Sequence, residues 1–321
     1  LIRSVRSFEH RGNTNTAIIN SFKSNNLTNM KTDISNQLFK SNRHHLAERL
    51  PQHAIAVFTA NEAMPRNGDQ FFPFRQQSDF FYLTGIEAEN AYLILAPGHC
   101  DENCREILFI EPYDAVKATW QGEMLDANQA RNLSGIANVM PSTAFFSTLK
   151  DMALSDCESI FLNSYEYSKY ECAVETLQQR FVKQVKELFP LHRFERIASI
   201  LNVLRMVKSK EEIKIMQQAC NITAKAFHRC LETAAPGRYE YQMQAEIEYV
   251  FKMHNANGHA YAPIVAGGKN ACCLHYSKNN DLLNDGDLLL FDIGCEFCNY
   301  ASDLSRTIPV SGRFSPRQKD Q

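Results

Sequence analysis

An aspartate stands inside an apolar run, Leu288-Leu-Leu-Phe-Asp292-Ile293, and this run constrains the fold of the chain more than any other feature. Both alternating sets of positions are apolar, as in a strand covered on both faces. A lone carboxylate there is expensive to bury. The next extended segment, Tyr300-Ala-Ser-Asp303-Leu-Ser-Arg306-Thr307, carries a second one. A hairpin turning at Phe297-Cys298 pairs 296 with 299 and sets 292 directly opposite 303. Directly opposed side chains have Cβ atoms about 4.5–5.5 Å apart, and like charges so placed destabilise a sheet unless something neutralises them. A cation is the economical answer. The alternatives are that Asp303 pairs with Arg306 or faces solvent, and that a bulge shifts the register. Oxygen ligands suit Mn²⁺ or Mg²⁺, and carboxylates able to bridge suggest two ions roughly 3.5–4 Å apart activating one water.

Upstream, helical stretches (Asn36 to Arg49, Gln129 to Leu133, Tyr170 to Leu188) alternate with short apolar strands (Ala54 to Phe58, Tyr92 to Leu95, Glu106 to Ile110), which describes an α/β domain over 36–195. After a linker at 196–208, Ser209-Lys-Glu-Glu212 forms a capping box. It opens a helix with apolar residues at Ile213, Met216, Cys220, Phe227 and Leu231, ended by Pro236-Gly237. A second helix carries Met243, Ile247, Val250, Phe251 and His254 on one side, with Gly258 as its stop. Strands then follow at Pro263 to Val265, Cys272 to Tyr276, Gly286 to Cys295 and Tyr300 to Val310. Helices followed by an antiparallel sheet make 209–321 an α+β half-domain.

The 34 basic and 36 acidic residues are nearly balanced and form no basic stripe, so nucleic acid is not an expected partner. No apolar run reaches about 18 residues, so neither a membrane span nor a secretory signal is expected and the cytoplasm is the default compartment. The ten cysteines are scattered irregularly and read as reduced thiols; Cys295 and Cys298 form a C-x-x-C with no second one to complete a zinc site. His99, Cys100 and Cys104 read as a polar loop. Residues 1–35 read as a disordered leader rich in Asn, Ser and Thr, with Met30 as a candidate true start. A transit peptide is the rival reading, since Arg3, Arg6, Arg11 and Lys23 outnumber Glu9.

Four segments together resemble a known family. Gly286 to Gly294 with Tyr300 to Thr307, Ile264 to Tyr276, and Phe72-Pro-Phe-Arg75-Gln-Gln-Ser-Asp79-Phe-Phe-Tyr82-Leu-Thr84-Gly85 are similar to segments of the aminopeptidase P and prolidase family, the last to its N-terminal domain. The resemblance implies an α/β N-terminal domain of the creatinase/aminopeptidase P type followed by an incomplete α+β pita-bread catalytic domain. It implies two divalent metal ions, usually manganese, with Asp292 chelating one and Asp303 bridging both. His275 matches a histidine that contacts the bound peptide, and Tyr261 a pocket-lining position. Trp120, in Ala118-Thr-Trp120-Gln-Gly122, resembles a loop that closes a neighbouring subunit's pocket, which implies a homo-oligomer, dimer or tetramer. One histidine and two glutamates of such a site are expected to follow Gln321, so this chain by itself is expected to be inactive. The expected activity of the complete protein is release of the N-terminal residue from peptides with proline second. Prolidase, which takes only dipeptides, and a pita-bread binding protein that has lost its metals are the alternatives; retention of both aspartates argues against the latter.

Overall fold

The computed structural model describes residues 34–164, 166 and 174–320, all in one compact unit. The leader falls outside the described residues except for Ile34 and Ser35, and so does the expected start of the helix from Tyr170. Helix α1 (Asn36–Ala47) starts at Ser35, whose side chain accepts from the Gln37 amide. β1 (Ala54–Thr59) follows, then an exposed hairpin of β2 (Pro65–Asn67) and β3 (Gln70–Phe71), α2 (Ser78–Thr84), β4 (Tyr92–Leu95) and β5 (Glu106–Ile110). Next come α3 (Ala115–Gln121), α4 (Ala127–Ser134), β6 (Asn138–Pro141), α5 (Phe145–Asp156), β7 (Ser159–Leu162), α6 (Leu177–Leu188), β8 (Arg193–Arg196) and α7 (Ala198–Met206).

These strands form one sheet in the order β6-β5-β4-β1-β7-β8, with β4 antiparallel to both of its neighbours and the other pairs parallel. β1 shows why its sequence is apolar throughout. Ala54, Ala56 and Phe58 pack into one buried cluster and Ile55 and Val57 into another, so helices cover both sheet faces. Gly85 ends α2 at φ +69°, and a Cβ there would meet the Phe39 ring at 2.3 Å, so both its conformation and its space require glycine.

The second half begins with α8 (Lys210–Thr233) and its capping box: Ser209 N–H donates to Glu212 Oε2 at 2.7 Å, and Glu212 N–H donates to Ser209 Oγ at 3.2 Å. α9 (Glu240–Met253) follows and buries Met243, Ile247, Val250 and Phe251 as the sequence predicts. It stops earlier than Gly258, at Asn255 with φ 56°, because asparagine tolerates the left-handed region. α8 departs further from expectation. Its buried stripe is Glu212, Ile215, Ala219, Ile222, Thr223, Ala226 and Cys230, while Ile213, Cys220 and Leu231 are exposed. Small residues allow neighbouring elements to come close, and a reading weighted towards bulky side chains misses such a face.

Six strands follow among the described residues: β9 (Gly258–His259), β10 (Ile264–Gly267), β11 (Leu288–Ile293), β12 (Cys295–Phe297), β13 (Tyr300–Ala301) and β14 (Leu304–Pro309), the hairpin arms β12 and β13 continuing from β11 and into β14, before a short helix α10 (Pro316–Lys319). The expected strand over Cys272 to Tyr276 is absent. Gly268 to Cys272 form a 3-10 turn instead, and His275 follows in a turn. Two sheets form, β10-β11-β14 and β13-β12-β9, and their inner face meets α8 and α9 in a third buried cluster that also takes in Leu38, Phe39 and Phe81. β11 is therefore a central strand. It is not covered on both faces, because Leu289, Phe291 and Ile293 are buried while Leu288, Leu290 and Asp292 are only half-buried.

Candidate metal centre

Asp292 and Asp303 reach one place by a register other than the directly opposed one. Asp292 pairs with Ser305, Ile293 with Leu304 and Phe297 with Tyr300, so the turn residues are Cys298 and Asn299, at φ 51° and 65°. Both positive φ values fit a two-residue hairpin turn whose twist matches that of the strands. The shift from expectation is two residues. An even shift keeps every side chain on its expected face, so the aspartates are diagonal neighbours on one face. Asp303 lies opposite Gly294, whose missing Cβ makes room for the Ser302 carbonyl and the Tyr261 ring.

Tyr261 joins the two carboxylates. Its Oη lies 2.7 Å from Asp292 Oδ1 and 2.9 Å from Asp303 Oδ1. A phenol has one proton to give, so only one of two ionised carboxylates can accept it and the second contact sets acceptor against acceptor. Burial first, and the two aspartates after it, hold the Tyr261 hydroxyl well above the usual phenol range, which keeps it a donor. The cluster thus holds two carboxylates and one shared proton, with no positive partner among the described residues. Hard oxygen donors in that arrangement fit Mg²⁺ or Mn²⁺. Among the described residues no third His, Cys, Asp or Glu completes a metal-binding group, so two ligands are what these residues offer.

The other expected site residues fall as follows. His275 is exposed in the turn after the 3-10 segment. Trp120 is 85% exposed at the end of α3. The Tyr261 hydroxyl, expected to line a pocket, is taken up by the two carboxylates. A cavity of about 600 Å³ opens elsewhere, lined by Asn61, Gln77, Asp79, Asn163 and Arg205 among others. Its charges are paired with one another or with neighbours, as in Arg205–Asp79 at 2.6 Å and Arg180–Glu62 at 2.5 Å. Buried Cys295 carries a free thiol that donates to Ala219 O at 3.2 Å, which fits a structural cysteine.

Sequence reasoning missed the supports behind the carboxylates. Glu296, almost fully buried on β12, takes a hydrogen bond from Arg75 Nε at 2.6 Å. Tyr300 Oη donates to Glu212 Oε1 at 3.0 Å, so the capping glutamate of α8 also holds the hairpin. The capping box gave a signal for Glu212; nothing in the sequence pairs Arg75 with Glu296.

Residues 39–161 match the family described as aminopeptidase P, N-terminal domain, and residues 214–321 match metallopeptidase family M24. The structure of a Bacillus anthracis protein assigned as an aminopeptidase P superposes with a TM-score of 0.83 at 30% identity, covering 89% of this chain and 67% of that one. This chain belongs to the aminopeptidase P family. Its fold is accordingly the aminopeptidase P N-terminal domain followed by pita-bread M24 architecture. An Xaa-Pro aminopeptidase of Haemophilus influenzae is 36% identical over 274 residues, which are 85% of this aminopeptidase P chain and 60% of the relative. The mitochondrial intermediate cleaving peptidase 55 of Arabidopsis thaliana is 28% identical over 281 residues, 87% of this chain and 54% of the relative. The chain thus spans between about half and two thirds of the length of these relatives.

Proposed function

We propose that the protein carrying this chain is a metal-dependent exopeptidase that releases the N-terminal residue from peptides with proline in second position. The observation that carries the reading is the meeting of Asp292 and Asp303 at the Tyr261 hydroxyl, in a family whose relatives are named for Xaa-Pro cleavage. Asp292 and Asp303 would hold the ions, two of them and manganese by preference. Further ligands must come from outside the described residues.

Divalent ions so bound supply a water acidified towards neutral pH and a Lewis acid for the scissile carbonyl. The residues of this chain do the holding. Tyr261 donates a hydrogen bond to one carboxylate and so restrains its rotation, and Gly294, having no Cβ, admits the Ser302 carbonyl and the edge of the Tyr261 ring beside Asp303. His275, exposed and able to donate a hydrogen bond, would take the peptide near the scissile bond. Trp120 is exposed enough to meet a partner subunit, as a dimer or tetramer would require. Among the described residues no helix is long and apolar enough to cross a membrane. We place the protein in the cytoplasm; the mitochondrial relative makes a fluorescent fusion the test of compartment.

The test of function is turnover by the whole protein with Mn²⁺ on an Xaa-Pro-Yaa tripeptide and on an Xaa-Pro dipeptide. The tripeptide is expected to be the better substrate, and Asp292→Asn is expected to abolish its cleavage. Preference for the dipeptide would make the protein a prolidase. Failure to cleave either while binding no metal would leave a binding protein.

A further inference from the structure

One bond is missing from the hairpin that carries the carboxylates, and it is missing beside Asp303. Antiparallel strands alternate pairs that exchange two N–H···O bonds with pairs that exchange none. Val310 N–H donates to Asp287 O at 2.9 Å, which sets the phase of the ladder, and in that phase Cys295 and Ser302 form an exchanging pair. Ser302 N–H does donate to Cys295 O, at 3.0 Å. The return bond is not made. Cys295 N–H points at two hydroxyls instead, Thr223 Oγ1 and Ser302 Oγ, each 3.0 Å away. The hydroxyls lie 2.7 Å from each other. The Ser302 carbonyl approaches Gly294 so closely that a Cβ there would meet it at 1.8 Å. The peptide joining Ser302 to Asp303 is therefore rotated out of the ladder, and the rotated unit is the one from which the Asp303 side chain departs.

Such a rotation strands a buried donor, and an unpaired buried N–H is destabilising. Thr223, 1% exposed on α8, is what removes that penalty, together with Ser302 at 5%. Without the Thr223 hydroxyl the Cys295 amide keeps only Ser302 Oγ, which has itself lost its 2.7 Å partner, and the balance shifts towards the regular ladder. The Ser302 carbonyl would then swing back to Cys295 N–H, and Asp303 would turn with it, away from Asp292 and Tyr261.

We propose that Thr223 is a positioning residue for the metal centre: from the helix behind the sheet, it accepts the Cys295 amide and so fixes the tilt of the Ser302–Asp303 peptide that brings Asp303 to Asp292. This inference rests on the metal-binding reading of the two aspartates. Thr223 itself touches neither substrate nor metal. Its hydroxyl acts through one amide and one peptide plane, so a nearly isosteric valine should alter the centre while leaving the core filled.

The experiment is Mn²⁺ titration calorimetry and Mn²⁺ electron paramagnetic resonance on the whole protein, comparing wild type with T223V, T223S and D292N, alongside the thermal midpoint of each metal-free protein. T223V is expected to weaken Mn²⁺ binding about ten-fold, as loss of an outer-shell partner typically does, and to change the resonance line shape. T223S, which restores the acceptor, is expected to recover both. Wild-type Mn²⁺ affinity and line shape in folded T223V, whatever its thermal midpoint, would overturn the inference while leaving the metal reading intact. Wild type that binds no Mn²⁺, or D292N that binds it as wild type does, would remove the metal reading and this inference with it. Should T223V not fold, T223A read below its thermal midpoint against T223S decides on the same two readouts.

Discussion

His259 is a half-buried titratable side chain with little polar support. It lies edge-on to Phe251 at 5.1 Å between ring centres, and its Nε2 is 3.4 Å from Glu248 Oε1, a long contact with half-exposed Glu248. Burial pushes its pKa below the ordinary imidazole value, against a smaller raising effect of Glu248. The direction fixes the pH dependence. Below about pH 6.5 the unfolded chain takes up a proton that the folded ring resists, so the unfolded state gains stability as pH falls; above that pH the contribution of the neutral ring is fully present. Thermal midpoints measured from pH 7 down to pH 5 should therefore fall more steeply for wild type than for His259→Gln. Parallel slopes would mean that the ring is not desolvated. Nothing in the sequence marked this histidine, because its burial comes from long-range packing. Asp292 and Asp303 were legible because a carboxylate in an apolar strand conflicts with its surroundings, whereas Tyr261 was expected only to line a pocket, and nothing in its sequence neighbours points to its bonds with the two carboxylates.

Among the elements, α8 separates what hydropathy conveys from what packing requires. Its buried stripe includes Ala219 and Ala226 at 0% exposure, while Ile213, an apolar residue on the face expected from sequence, is 54% exposed. Ala226→Leu is accordingly expected to lower stability by about 1–3 kcal/mol through overpacking. Ile213→Ser should stay within about 0.5 kcal/mol of wild type. Urea denaturation of both variants checks the pair, and the reverse ranking would restore the sequence-based face. Most of the fold was legible for local reasons: β1, β4 and β5 lie where their β-branched and aromatic runs end, and the Ser209 box sets the start of α8 to the residue. The Cys272 to Tyr276 segment failed because short apolar runs do not distinguish a strand from a tight turn. The hairpin register failed because the turn was placed one residue early; each residue of turn displacement moves the pairing by two, which preserved the faces and with them the site.

At the scale of the whole molecule, the two halves are tied by polar contacts whose weaker ends are exposed. Arg75, with its side chain 46% exposed, bonds Glu296, whose side chain is 9% exposed. Removing the guanidinium leaves a nearly buried carboxylate with no cation. Arg75→Ala is expected to cost about 2 kcal/mol in chemical denaturation, discounted from a fully buried pair because water can reach the vacated side. Glu296→Gln, which still accepts from Arg75 and leaves no unpaired carboxylate, should cost less; equal losses would argue against the stranded charge as the cause of the Arg75→Ala loss. The two-residue turn at Cys298-Asn299 has a further consequence, in the order of events during synthesis and folding. Asp292 and Asp303 are brought together by the shortest closure a hairpin permits, so little chain entropy opposes their meeting. Hairpins form within about 1–10 μs, far ahead of contacts between distant segments. The two like charges therefore meet before Thr223 or Arg75, each supplied from far earlier in the chain, has docked behind them. A chain folding in this order brings the two carboxylates together first and their restraints second.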